Sequence, residues 1–302
     1  MPGFLTHYLA GQKLKGCLNE ESQEILEKNE ELFSLGCQGP DIFFYYFPGL
    51  IYKQTRGLGT AMHNSNLSMF ILDIANQCRE DKNEAVFAYT SGFVMHYALD
   101  SAAHPYVYAR TTTKGVKEIK NFADHRLFET AIDILMLQRQ LGKKPNDIKQ
   151  SRLIKAPRAS LKAAAHSVSS AIATVYGRAI SLSQTFSAMR FMQLFTWFLQ
   201  TKKGRRKRIL RFFEKITIRE PLFSSMMHDQ QTSLDVLNIE KHEYTAPWEG
   251  AKTENNSFIE YFDMSIEEAT EICAVLHDFV YGKSDESELA KILGNKSLKT
   301  GM

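Results

Sequence analysis

The chain contains no run of eighteen apolar residues, so no helix is expected to span a bilayer. The opening Met1-Pro2-Gly3-Phe4-Leu5-Thr6-His7 has neither a basic segment leading into an apolar one nor a small-residue cleavage site, which predicts no leader peptide and a cytoplasmic protein, at most peripheral at a membrane. Cysteine is scarce. Cys17, Cys37, Cys78 and Cys273 lie far apart without Cys-x-x-Cys spacing, which argues against a disulfide framework or thiolate zinc site and predicts reduced, mostly buried thiols. Strand signals are scarce too, with no sustained period-two alternation and no Asn-Gly or Asp-Gly turn.

What remains is helical. Apolar periodicity predicts helices from about Asn19 to Leu35 and over 61–80, 83–104, 121–141, 158–181, 183–200, 204–217, 227–238, 265–282 and 286–293. Ser265 with Glu268 reads as a capping box. Pro105 predicts a helix end or kink just after His104. The segment 241–262, with Tyr244, Pro247, Trp248 and Phe258, reads as a long ordered loop, either an aromatic buttress or a substrate wall. The fold class is all-α, and the 302 residues are expected to form one domain, with a ligand-bearing half over about 1–135 and a helical remainder over 136–302.

Two spaced sets of side chains carry chemistry. In His96-Tyr-Ala-Leu-Asp100-Ser-Ala-Ala-His104 the three polar residues recur every four positions and share one helix face; His125 and Glu129 repeat that spacing downstream. Each step of four rises about 6 Å, leaving His96 and His104 about 12 Å apart along the backbone, too far for one metal with bonds of about 2 Å. Two metals with Asp100 between them satisfy the spacing. A lone His or Asp on a helix is usually solvated or satisfied by a hydrogen bond. Here five such residues fall among Phe93, Val94, Met95, Leu99, Phe122, Leu127 and Phe128, where unpaired ionisable groups are costly and metal coordination removes the cost. His7, Asp41 and His63 supply further ligand types, although each has a plain alternative: a frayed terminus, a turn or cap residue after Gly39-Pro40, and a surface histidine. His166, His228, His242 and His277 lack matching partners and read as background.

In that order these residues resemble the zinc-dependent phospholipase C superfamily, which includes bacterial phospholipases C, the catalytic domain of glycosylphosphatidylinositol-specific phospholipase D, and single-strand-specific zinc nucleases. The family pattern is an N-terminal His, a Pro-Asp turn, a His, His-x-x-x-Asp, a His, and His-x-x-x-Glu or Asp, met here by His7, Pro40-Asp41, His63, His96 with Asp100, His104, and His125 with Glu129 over residues 1 to about 130. Thr6-His7-Tyr-Leu-Ala-Gly11 and Gly39-Pro40-Asp41-Ile-Phe-Phe-Tyr45 look most like the phospholipase C/D branch. The resemblance implies two to three zinc ions: one on Asp41, His63, His96 and Asp100, one on His104, His125 and Glu129, and one on His7 and Asp100. It also implies a catalytic part for Asp41, as ligand, general base or both. Secreted relatives complete the third site with a mature N-terminal Trp; this chain has Met1-Pro2-Gly3, whose Pro2 amine would have to substitute.

Net charge is only +3, yet Lys202, Lys203, Arg205, Arg206, Lys207, Arg208 and Arg211 follow directly on the aromatic stretch 186–199. That arrangement suits an anionic membrane surface better than nucleic acid, and the bland alternative is a core helix followed by a solvated basic one. The expected activity is zinc-dependent hydrolysis of a phospholipid phosphodiester. A nuclease or nucleotide phosphodiesterase on the same metals, or a metal-binding homologue without turnover, are the alternatives.

Overall fold

A computed structural model describes residues 3–200, 204–217, 219–228 and 235–302. Thirteen α-helices are present among them: α1 Phe4–Cys17, α2 Glu20–Lys28, α3 Glu30–Gly36, α4 Leu58–Asn64, α5 Leu67–Asp81, α6 Glu84–Thr111, α7 Glu118–Leu141, α8 Gln150–Leu153, α9 Arg158–Tyr176, α10 Leu182–Leu199, α11 Arg205–Thr217, α12 Phe258–Val280 and α13 Glu286–Leu293. The strands among the described residues are two-residue pieces, β1 Tyr244–Thr245 paired antiparallel with β2 Thr253–Glu254. The protein is all-α.

The axis of the fold is α6. Asn83 starts it by accepting from the backbone N–H groups of Ala85 and Val86. From Val86 to Ser101 every one of its side chains is buried, so it is a core helix with no solvent face, and α1, α3, α5, α7, α9 and α12 pack around it. Two of its buried tyrosines bond remote carbonyls, Tyr97 donating to that of Leu293 at 2.7 Å and Tyr106 to that of Val236 at 2.8 Å. The crossing with α3 is unusually close. A Cβ on Gly36 would lie 2.1 Å from the Tyr89 carbonyl oxygen, and one on Gly92 would lie 2.2 Å from that of Phe33. This approach carries the turn after α3, with Asp41, onto the middle of α6.

Several expected boundaries are corrected. The helix expected to run from Asn19 to Leu35 is two, interrupted at Asn29, whose side chain donates back to the Ile25 carbonyl. The 61–80 helix is broken at Ser65-Asn66, where Asn66 takes φ 61°. Pro105 does not end α6: the helix continues to Thr111, because buried Tyr106, Val107 and Thr111 tie its last turns into the core. Described residues within 227–238 are not helical; the Asp235 carboxylate holds the N–H groups of Ile239 and Glu240 in a turn instead. Helix α12 begins at Phe258, seven residues early, because the capping box is Ser257 with Glu260, while Ser265 donates to the Phe262 carbonyl inside the helix. The expected loop is thus a short hairpin whose Tyr244 packs on Tyr106 at 4.9 Å and whose Trp248 packs on Tyr108 at 5.9 Å.

Residues 4–17, where no helix was expected, form α1. Gly3 offers no capping side chain, and the cap comes from across the fold: Asp133 of α7 accepts from Leu5 N at 3.0 Å, Thr6 N at 2.8 Å and the Thr6 hydroxyl at 2.6 Å.

Candidate metal centre

Four helices and one turn bring together all eight ligand types named from the sequence. His96, Asp100 and His104 lie along α6, His125 and Glu129 along α7, His7 on α1, His63 on α4, and Asp41 in the short 3₁₀ turn Gly39–Phe43. All eight are buried. They fall into three groups whose ligand atoms lie within 4.8 Å of one another: His7, His96 and Asp100; Asp41, His63 and His96; His104, His125 and Glu129. Asp100 sits at the centre. Its carboxylate oxygens are 3.1 Å from His7 Nε2, 3.2 Å from His96 Nε2, 3.7 Å from His63 Nε2 and 3.8 Å from His104 Nδ1.

Four of the histidines are aimed by their other ring nitrogen. Nδ1 faces the Gly59 carbonyl at 2.7 Å in His63, the Cys37 carbonyl at 3.1 Å in His96, the Leu298 carbonyl in His104, and the Thr111 hydroxyl at 3.2 Å in His125. Donation from Nδ1 fixes the tautomer that leaves the Nε2 lone pair free, the usual support of a metal-binding imidazole. His7 is held differently: its ring stacks on that of His96 at 4.3 Å, while the hydroxyl of the neighbouring Thr6 donates to Asp133.

Whether this set fits metal ions is tested by its unpaired atoms. Among the described residues, His7 Nε2, Asp41 Oδ1, His96 Nε2, both Asp100 oxygens and His104 Nε2 are buried without a hydrogen-bond partner, although several approach one another to about 3 Å. Buried polar atoms are rarely left unpaired. So many converging on one place, all imidazole nitrogen or carboxylate oxygen, is the donor set of zinc. The residues fit.

Electrostatics point the same way. Burial alone would raise the pKa of Asp100, but His104 and His96 outweigh it and hold the carboxyl well below its usual range. Glu129 is likewise lowered against its burial, by His125 and Arg126. Burial pushes His7, His104 and His125 down toward the neutral, ligating form; in His96 the neighbouring Asp100 overcomes burial and raises it. A pH dependence follows for the metal-free protein. Three histidines have folded pKa values below 6.5, so on acidification the unfolded chain takes up protons that the folded one refuses, and stability falls from about pH 7 to pH 5; His96 has the opposite sign. Because His96 is protonated in both states well below pH 6.5, its opposing effect ends there, and three protons at about 1.4 kcal/mol per proton per pH unit give a slope that rises to about 4 kcal/mol per pH unit toward pH 5. A flat thermal midpoint for metal-stripped protein over that range would contradict it.

Gly39 makes the turn possible. It sits at φ 51°, and a Cβ there would lie 2.3 Å from the His96 ring. Gly39→Ala is expected to displace Asp41 and His96 and to lower zinc content while leaving helical circular dichroism intact; unchanged zinc binding would show that the turn has room to adjust.

The centre opens into a cavity of about 730 Å³, lined by His63, His104 and His125 on the metal side and by Phe44, Tyr108, Ile119, Phe122 and Leu222 elsewhere. Two cations on its wall were not singled out from the sequence. Arg126 lies within the His125–Glu129 motif, pairs with Glu129 at 3.2 Å and stands over the Phe122 and Phe44 rings. Lys299 comes from the C-terminal segment, with its N–H on the His63 carbonyl and its ammonium over Tyr108. Arg126 was legible as a cation next to two ligands; nothing local marks Lys299 or the Leu298 carbonyl. Met1 and Pro2 lie outside the described residues, and so does the suggested Pro2 amine ligand. His228, read as background, pairs with Asp133 at 2.8 Å, away from the ligand groups.

Residues 3–179 match the family described as zinc dependent phospholipase C. No curated protein and no solved structure matches the chain. Since that match takes in every converging ligand and more than half of the 302 residues, the chain belongs to the zinc-dependent phospholipase C family.

Proposed function

We propose that this protein binds two to three zinc ions and hydrolyses the phosphodiester bond of phospholipids. The observation that carries the reading is the junction of unlike surfaces in one cavity: a cluster of zinc-type donors at one end, Arg126 and Lys299 on the wall, and Phe44, Ile119, Phe122 and Leu222 beyond. An anionic phosphate linked to apolar chains matches that sequence of surfaces. Zinc held by these ligands would stabilise charge developing on the phosphodiester and would make water available in its ionised form near neutral pH.

The protein's own groups divide the remaining work. Arg126 is held in the cationic form because Glu129 outweighs its burial, so it is a permanent positive charge beside the donor cluster. Tyr108, with its phenol pushed up to about 12 by burial, stays protonated and faces the cavity as a hydrogen-bond donor. Asp41 keeps one oxygen without a hydrogen-bond partner among the described residues while lying 3.3 Å from His63 Nε2, which suits a group that holds a metal and orients the attacking water.

The test is a substrate panel on zinc-loaded protein: a short-chain phosphatidylcholine, a chromogenic phosphodiester and single-stranded DNA. Release of diacylglycerol is expected, and phosphatidic acid in its place would mean D-type cleavage. Cut DNA with intact lipid would favour the nuclease alternative. No turnover at full zinc content would leave a metal-binding homologue. Among the described residues no helix is long and apolar enough to cross a membrane, so a lipid substrate has to be met from the surface.

A further inference from the structure

Helix α11 faces the wrong way for a soluble protein. Ile209, Phe212, Phe213 and Ile216 recur at i, i+3, i+4 and i+7, the apolar stripe that normally turns toward a core. Here that stripe is outside, with the four side chains 59–64% exposed. The inward face is held by Leu210, packed on the core, and by buried Glu214, which accepts from Phe223 N and from Ser224 N at 3.1 Å. Because Glu214 is the one carboxylate of α11 and is turned inward, its exposed charges are all positive: Arg205, Arg206, Arg208 and Lys215. Leu194, Trp197 and Phe198 at the end of α10 extend the apolar surface, and Arg206 stands over the Trp197 ring at 5.0 Å. Lys202 and Lys203, counted with this cluster in the sequence, lie outside the described residues.

We infer that α11 and the end of α10 form a docking face for an anionic phospholipid bilayer, from which a lipid reaches the metal centre. Charge complementarity selects the occupant. Four exposed large apolar side chains flanked by unopposed cations match an interface of acyl chains and anionic headgroups, whereas a nucleic acid would use the cations and leave the stripe in water. A second cavity supports the route. It measures about 210 Å³ and is almost wholly apolar, with Phe195 of α10 and Phe223, next to the Glu214-held turn, in its wall. It shares Phe44, Phe122, Arg126 and Leu222 with the metal-site cavity, so an acyl chain lying in it would leave its phosphate beside the zinc ligands.

This inference rests on the phospholipid reading for its route but not for its docking face, and the experiment separates the two. Zinc-loaded wild type, Phe212→Ser/Phe213→Ser and Arg205→Gln/Arg208→Gln are compared for flotation with vesicles of equimolar phosphatidylcholine and phosphatidylserine, and for hydrolysis of monomeric short-chain phosphatidylcholine. Losing two surface cations should weaken vesicle binding about 30-fold, and losing two inserted rings should weaken it at least about tenfold. Hydrolysis of the monomeric lipid should be unchanged, since neither pair touches the metal cavity. Wild type that fails to float, or variants that float as well as wild type, would overturn the docking face; so would unchanged flotation with lost binding to single-stranded DNA. Absence of lipid hydrolysis by wild type, with flotation lost in the variants, would refute the substrate reading and leave the docking face standing. Should the serine pair fold poorly by circular dichroism, the glutamine pair carries the test.

Discussion

Asp100→Asn is expected to abolish zinc loading at two sites together and to cut phosphodiester hydrolysis by at least about 100-fold, the upper range seen when mere supports of metal ligands are lost. The reason is its place in the cluster. Asp100 has no exposed surface, and its two oxygens lie within 3.8 Å of nitrogens on four different histidines. It reaches both the His7–His96 group and the His104 side of the centre. Asparagine preserves the shape and removes the charge, so the effect is not a packing effect. Two readouts confirm this. The metal-free variant should melt below metal-free wild type, because His104 and His96 hold the Asp100 carboxyl ionised in the folded state and its loss leaves their nitrogens buried without that partner. The zinc-loaded variant should lose most of the stabilisation that zinc gives wild type. Full zinc stoichiometry with full turnover in Asp100→Asn would mean that Asp100 bridges nothing.

The second large effect is on stability. Asp133→Ala is expected to cost on the order of 3–5 kcal/mol in denaturant unfolding, since a buried carboxylate is removed while its donors remain in the core. Asp133 caps α1 from a distance of 127 residues in sequence, taking both first-turn N–H groups and the Thr6 hydroxyl, and it also accepts from His228 Nε2 at 2.8 Å. A normal cap contributes about 1 kcal/mol; this one also fixes the entry of the helix that carries His7. Zinc at the His7 group should therefore be lost before zinc at the His104 group. A change below about 1 kcal/mol would mean that α1 docks through Leu5, Leu9 and Leu14 alone.

The parts of the fold that were legible are those whose cause is local. The spacing of His96, Asp100 and His104 is a property of any α-helix, so their alignment follows from the sequence wherever that helix forms. Ser181 with Gln184, by contrast, forms a local capping box that bounds α10 close to the predicted start. Local rules failed where a tertiary partner decided. Pro105 breaks an isolated helix, yet α6 passes through it because the residues beyond are buried. Helix α1 was missed because its cap is Asp133, and no local signal can report a carboxylate on another helix. For the apolar-basic stretch the structure adds a feature: Leu194, Trp197 and Phe198 of the aromatic run are exposed, and a further outward apolar stripe lies on α11 itself, amid the cations.

By itself the sequence determined the fold class, the family and the eight residues of ligand type that the fold gathers, because helix periodicity and the order of residue types are written residue by residue. Tertiary structure decided which of these residues lie together. The close crossing at Gly36 and Gly92 brings Asp41 against His96, the remote cap brings His7 beside Asp100, and the C-terminal segment turns His104 and places Lys299 on the cavity wall. It also decided that the apolar face of α11 looks outward, since amphipathicity states that a helix has two faces and only its packing neighbours choose which one meets water.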